Sequence, residues 1–456
     1  MAQSNGNGGR LYFGVDVGGT KILAVLAGAN GHVMARHRCP TPRGQGAEAT
    51  VQAVGEAMAQ CLTDSGAPGS SVRAAGVAVP GVPDPHADRI VFAPNIDLMG
   101  VPVAGPLSKR FGVPVVLGND VNLGTLGELW QGSARGAASV VGLFPGTGLG
   151  GGIILDGHVL TGHHGAAAEI GHMLMDPSGP VCGCGRRGCL EAFASRTAIE
   201  RDIRAAVQAG RKTLLTEMAG DLSVIKSGML RRALDAGDKL VCEVMAAAAE
   251  MLGRACMDMR RLVDPEMIVL GGGVVEACET FLMPIIERVL ADDPLNAAGP
   301  GPQVVVAGAG DDAVVLGAVA LARQAAGGDP LSDTSPAAEY PAVRLCEGGQ
   351  IGVNDKTFRE SVIVRADGKV RPRAKVLAKT GADPAGPIDR PELEWACKGA
   401  PRTLILAGDP PADLTGAARD FLRWRNIETA ILPLGKGVKA FHKAETAKAA
   451  LLRVEG

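Results

Sequence analysis

Two stretches far apart in the chain repeat one design, and that repeat constrains the fold most. Leu11 to Lys21 (LYFGVDVGGTK) is a run of β-formers that breaks at Gly18-Gly19-Thr20. Ile22 to Leu26 then reads as a second strand, with Ala29-Asn30-Gly31-His32 as the hairpin turn before a third. Val140 to Leu155 (VVGLFPGTGLGGGIIL) does the same: strand, glycine/threonine turn, strand, then an Asp156-Gly157 turn. In both stretches the glycines lead into a strand. The dinucleotide-binding fingerprint and the P-loop each need a helix there and are excluded. The repeat suggests two similar lobes facing one nucleotide, and backbone N–H groups of Gly18, Gly19 and Thr20 can line a phosphate. Lys21 can add positive charge. Asp16 can hold Mg²⁺ directly or through water; an ordinary hairpin with an exposed aspartate accounts for the same residues.

Between and beyond these stretches the chain alternates helix and strand. Ala47 to Ser65 has an Ala-rich helical period, Ala74 to Gly81 reads as a short buried strand, and Leu107 to Phe111 as a short helix. Val113 to Asp120 is a second buried strand with Asn119 and Asp120 at its carboxyl end, where ligands sit in open α/β sheets. Asp120 is a candidate general base there; as a helix N-cap it needs no function. Ser195 to Ala209 and Gly237 to Val263 read as helices. Met267 to Val274 (MIVLGGGV) is a strand running into glycines, with a helix from Glu276 whose N-terminus can receive a nucleotide. Val304 to Ala307 is a further strand, and Asp311-Asp312 is expected to cap a helix from Ala313 to Gln324.

Glu169, His172, Cys182, Cys184, Cys189 and Glu191 crowd into one short segment. One imidazole and three thiolates make a closed, four-coordinate zinc site with no position left for water, so such a metal shapes a loop and does no chemistry. Reduced thiols in a glycine-rich loop, flanked by solvated glutamates, are the alternative. The ten cysteines, with no apolar leader ahead of Leu11, point to a reducing, cytoplasmic setting. No apolar run approaches the ~20 residues that span a bilayer, so no membrane association is expected.

The 456 residues exceed what one core holds. Residues 326–341 read as a linker by composition, and 342–456 as a further domain. Residues 341–456 carry 20 Lys+Arg against 14 Asp+Glu, net +6, leaving 26 against 34 elsewhere, net −8. With no stripe of basic and aromatic residues, that excess predicts a solvated surface and no nucleic-acid site. Gly349–Val353, Ser361–Arg365, Thr403–Ala407 and Thr429–Pro433 read as strands, Leu414–Trp424 and Ala440–Leu451 as helices; His442 and Cys397 read as structural.

These motifs resemble the ROK family of sugar kinases and related regulators, within the actin-like ATPase superfamily. The resemblance covers residues 10–325. Gly14 to Lys21 is similar to the family's first phosphate motif, Gly146 to Gly152 to the second, and Gly271-Gly272-Gly273 to its adenosine-side glycines. Asn119-Asp120 sits where the family has its sugar-binding Asn and catalytic Asp, and the His172/Cys182/Cys184/Cys189 set matches its zinc signature. The resemblance implies a two-lobed, ribonuclease H-like α/β fold with an interlobe cleft, lobes spanning about 10–120 and 121–325, plus the small C-terminal α/β domain. It implies ATP, Mg²⁺ and structural Zn²⁺. Asp16, Gly18, Gly19, Thr20, Lys21, Gly146, Thr147, Gly148, Gly150 and Gly271 to Gly273 would bind the nucleotide. Asn95, Asn119, Asp120, Glu169, His172 and Glu191 would bind the sugar, with Asp120 catalytic.

The ten residues before Leu11 are too few for the winged helix of the family's regulators, so the resemblance points to a kinase for the 6-hydroxyl of a hexose, glucose foremost. Fructose, mannose or an N-acetylhexosamine as substrate, polyphosphate as donor, and a non-catalytic sugar sensor are the alternatives. A homo-oligomer, dimer or tetramer, is also implied. Residues 342–456 resemble the Mth938-like domain, a fold of no settled activity, with docking of a protein partner or regulation as the expected role.

Overall fold

The computed structural model describes residues 9–93, 96–331, 340–346, 350–383, 386–398, 401–410, 412–444 and 448–454. The chain divides into two compact units, Met1–Ser332 and Asp333–Gly456.

The sequence repeat becomes a repeat of topology in the first unit. Strands β1 (Leu11–Val17), β2 (Lys21–Gly28) and β3 (Val33–Pro40) form an antiparallel meander. Helix α1 (Ala47–Ser65) crosses over, so β4 (Val72–Val79) lies parallel to β1. A short hairpin, β5 (Val82–Pro83) and β6 (Ile90–Phe92), precedes α2 (Ala104–Phe111) and β7 (Val115–Asn119). The sheet order is β3-β2-β1-β4-β7. Helix α3 (Asp120–Gln131) leads into a second meander, β8 (Val140–Pro145), β9 (Leu149–Leu155) and β10 (His158–Val159). Parallel strands β11 (Met267–Leu270) and β12 (Gln303–Val306) complete the order β10-β9-β8-β11-β12. Between β10 and β11 lie the cysteine loop and five helices: α4 (Glu191–Ala194), α5 (Arg196–Gln208), α6 (Leu215–Ala219), α7 (Ser227–Asp235) and α8 (Lys239–Val263). Helix α9 (Gly273–Ala291) joins β11 to β12, and α10 (Ala313–Ala325) closes the unit. This is the expected two-lobed α/β architecture.

Helices α3 and α10 sit between the two sheets. Leu126, Trp130, Val315 and Val319 share one core with Val25 of the first sheet and Ile154 of the second. The helices cross at backbone contact. A Cβ on Gly127 would collide with the Ala313 carbonyl, and one on Gly317 with the Leu123 carbonyl. Buried Glu128 pins the end of α3: its carboxylate accepts N–H bonds from Ser133, Gly308 and Ala309, each 2.9 Å, so its charge is satisfied where water is absent.

Two expectations for this unit fail locally. Asp312 makes no side-chain cap for α10 and instead pairs with Arg36 of β3, at 3.2 and 3.3 Å, because that guanidinium offers a charge-assisted fork. The strand expected to include Asp120 ends at Asn119. The Asn119 side chain accepts from the N–H groups of Val121 and Asn122, so Asn119, not Asp120, is the N-cap of α3.

The second unit begins with an antiparallel sheet of β13 (Val343–Leu345), β14 (Ile351–Val353) and β15 (Lys356–Phe358). Its main sheet, in the order β17-β16-β20-β18-β19, is built from β16 (Val362–Val364), β17 (Val370–Pro372), β18 (Thr403–Ala407), β19 (Glu428–Leu432) and β20 (Lys448–Leu452). Helices α11 (Arg373–Thr380), α12 (Arg390–Ala396) and α13 (Gly416–Trp424) cover one face, and α14 (Leu434–Lys443) the other. The expected last helix is therefore wrong beyond Lys443: Lys448–Leu452 is a central strand. It is buried on both faces, so its apolar run lacks the alternation that separates strand from helix. Gly349, expected to open a strand, lies outside the described residues. Buried Cys397 packs in the core under α12, and His442 Nε2 lies 2.6 Å from the Val343 carbonyl. Among the described residues no helix is long and apolar enough to cross a membrane.

Candidate active site

The first turn, Gly18-Gly19-Thr20, links β1 to β2 and is closed by a 2.9 Å bond from the Gly18 amide to the Lys21 carbonyl. It is braced from outside by Thr41, whose hydroxyl donates to the Gly18 carbonyl at 2.6 Å, and by Arg43, whose guanidinium donates twice to the Gly19 carbonyl at 2.8 and 3.1 Å. The second turn, Gly146-Thr147-Gly148, repeats the device, with the Gly146 amide donating to the Gly148 carbonyl at 2.8 Å. Arg196 braces it: its backbone amide donates to the Gly146 carbonyl at 2.9 Å and its guanidinium to the Thr147 hydroxyl at 3.1 Å.

The Gly18 and Gly146 amides are thus spent on the turns, and that of Gly271 on the Leu143 carbonyl. The amides of Gly19, Thr20, Thr147 and Gly148 have no partner among the described residues. Gly150 lies within β9, where a Cβ would strike Val121 of α3. Gly272, at φ +86°, is the N-cap of α9 and sits against the Pro145 carbonyl; only glycine fits both conditions. The start of α9 is thereby placed next to the second turn.

Asp120 is the first residue of α3 and is half-buried. Burial pushes its carboxyl up to about 6, and the nearby carboxylates of Asp16 and Glu169 push the same way, against the Val121 N–H bond to its oxygen. Burial also raises Asp16, opposed by Lys21. Three acids, from the end of β1, the start of α3 and the loop before His172, therefore converge. Asn119 leaves one amide hydrogen for a ligand: its oxygen caps α3, and its nitrogen donates to the Gly81 carbonyl at 2.9 Å. Asn95 lies outside the described residues.

The Glu169–His172 segment is pulled onto β9, where Gly171 packs against the Leu149 carbonyl with no room for a Cβ. His172, Cys182, Cys184 and Cys189 come together with all four ligand atoms within 4.8 Å of one another. The Cys182 sulfur is 3.6 Å from His172 Nδ1, and the Cys184 and Cys189 sulfurs are 3.7 Å apart. Donors at zinc distances on the corners of a tetrahedron are separated by about 3.5–3.8 Å, so the set fits zinc. Glu191 ties this loop to the second turn: one oxygen accepts from the Leu149 amide at 2.9 Å, the other from the Cys182 thiol at 3.4 Å.

Sequence reasoning missed Arg43 and Arg196. Each braces a turn remote from it in sequence, and the only available signal was an arginine just after a strand end and one opening a helix.

The model of the ROK family matches residues 12–325. The chain is 34% identical over 317 residues to the glucokinase of Thermotoga maritima, covering 69% of this chain and 98% of that protein. The chain belongs to the ROK family. An N-acetylmannosamine kinase of Escherichia fergusonii is 32% identical over 313 residues, covering 68% of this chain and 97% of its own. Among solved structures, a ROK family glucokinase from Streptomyces griseus in complex with glucose and AMPPNP superposes with a TM-score of 0.59 at 34% identity, covering 69% of this chain and 99% of that one. The ROK match takes in both glycine turns, Asp120 and the whole cysteine loop, and stops at the end of α10.

Proposed function

We propose that residues 12–325 transfer the γ-phosphoryl group of ATP to the 6-hydroxyl of a hexose, with glucose as the preferred acceptor. The unit is a sugar kinase of the ROK family. The observation that carries the reading is Asp120: a carboxylate on a helix start, close to the acids at the end of β1 and before His172, with its basicity raised toward neutral pH. In the reaction the sugar hydroxyl gives its proton to Asp120 as its oxygen bonds to the γ-phosphorus. The bond to the bridging oxygen breaks, and ADP carries away that electron pair. Such transfer runs through a loose transition state, so positioning and charge stabilisation matter more than a strong base.

The free amides of Gly19, Thr20, Thr147 and Gly148 hold phosphate oxygens, Lys21 adds charge, and Gly272 and Gly273 admit the adenosine side. Asp16 would hold Mg²⁺, which supplies charge neutralisation at the phosphates. Asn119, Glu169, His172 and Glu191 orient the sugar. His172, Cys182, Cys184 and Cys189 would hold Zn²⁺, which fixes the loop carrying Glu169 and Glu191. Glucokinases among the relatives support glucose, and an N-acetylmannosamine kinase at similar identity names its rival. Residues 342–456 fit the Mth938-like reading through their five-stranded sheet covered on both faces, and docking of a protein partner is their proposed role.

The test is ADP release by the full chain with ATP and a panel of hexoses. Glucose should give the highest kcat/KM. A higher value with N-acetylmannosamine would overturn the acceptor assignment, and no turnover with any hexose, with sugar binding intact, would overturn the kinase reading.

A further inference from the structure

A cavity of about 780 Å³ opens in the second unit beside the carboxyl ends of the adjacent parallel strands β18 and β20. One face of α11 forms a wall, and the residues following β18 and β20 and those leading into β16 form the rest. Ligands of open α/β sheets bind at strand carboxyl ends, and small-molecule pockets have this size.

Its charges are unequal in environment. Arg373 is buried and paired with buried Glu392, with contacts of 2.6 and 3.0 Å. Glu360 and Asp409 are exposed on the rim, where water screens them. Arg453 is half-buried, and its guanidinium makes no hydrogen bond or ion pair among the described residues. Burial, and then the neighbouring Arg373, disfavour its charge, and the Glu392 carboxylate partly offsets them. A half-buried guanidinium in the cavity wall, its donors unused by the described residues and beside a second arginine, can take an anionic partner. Around it, Ala374, Leu377, Ala382, Pro410 and Val454 give the cavity apolar walls.

We propose that this cavity binds a small organic anion, a carboxylate or phosphate on an apolar body, with the Arg453 guanidinium as its bidentate partner. The planar fork of arginine matches both groups, and the site sits in a different unit from the kinase chemistry.

Calorimetric titration of the full chain tests it with three probes: hexanoate, phenyl phosphate and inorganic phosphate. Hexanoate or phenyl phosphate should bind, and which of them binds tighter identifies the anionic group; inorganic phosphate should bind at least tenfold more weakly. Arg453→Gln should weaken the binding tenfold or more, while Arg359→Gln on the exposed rim changes it less than twofold. Ala378→Trp, which projects an indole into the cavity from the exposed face of α11, should weaken it tenfold or more. Should Arg453→Gln fail to fold, Ala378→Trp alone decides the matter. Failure of both organic probes to bind, binding undiminished in Arg453→Gln, or binding undiminished in Ala378→Trp, which would assign it to the kinase site, would each overturn the proposal.

Discussion

Replacing Asp120 by Asn should make the protein more stable and less active, and the size of the gain should depend on pH. The carboxyl titrates near 6 in the folded chain against an ordinary value of 3.8. A folded-state pKa above the unfolded one means that the ionised form is disfavoured by folding, so stability is lost as pH rises through about 6. The cost of carrying the charge is about 0.5 kcal/mol at pH 4 and grows to about 3 kcal/mol at pH 8. Asparagine carries no charge and retains the oxygen that accepts from the Val121 amide. The cap of α3 is untouched because Asn119 supplies it. The variant should therefore melt about 4–5 °C above the wild type at pH 8 for a cooperative unit of this size, with the gap nearly closed at pH 4. The same substitution removes the proposed base, so turnover should fall by roughly 10²–10⁴ while sugar binding survives. Wild-type kcat/KM should fall as pH drops below about 6. Thermal melts at both pH values and a coupled ADP assay check these together. A gain over the wild type no larger at pH 8 than at pH 4 would refute the burial argument, and unchanged turnover would refute the catalytic one.

Three further outcomes follow from the same geometry. Stripping metal with a strong chelator should release one zinc per chain and abolish sugar binding by loosening the loop that carries Glu169 and Glu191; calorimetry with the sugar reads this, and a metal-free protein that still binds would exclude the zinc assignment. Gly127→Ala should cost about 1–3 kcal/mol or more in urea unfolding, since the new methyl meets the Ala313 carbonyl where α3 and α10 touch; a neutral result would mean that the helices can separate freely. Arg196→Gln should raise the KM for ATP several-fold with little change in the KM for sugar, because its side chain holds the Thr147 hydroxyl; an unchanged KM for ATP would mean that the second turn needs no brace.

The glycine turns, helix α1 and the zinc-type cluster were legible because their determinants are local. Gly18-Gly19-Thr20 and Gly146-Thr147-Gly148 declare a backbone reversal by sterics alone, and His172 to Cys189 brings four donors together within one loop. The repeat of strand, turn, strand likewise encodes two lobes, and the two sheets share one order. The tertiary structure decided what depends on burial and on residues remote in sequence. It drew Asp16, Asp120 and Glu169 together and so raised the Asp120 carboxyl, a shift that no spacing encodes because desolvation is set by what packs around the group. It gave the helix cap to Asn119, used the Gly18, Gly146 and Gly271 amides internally, and brought Arg43 and Arg196 to turns far from them in the chain. It also made Lys448–Leu452 a strand, since an apolar run buried on both faces takes its conformation from its neighbours and not from its own pattern.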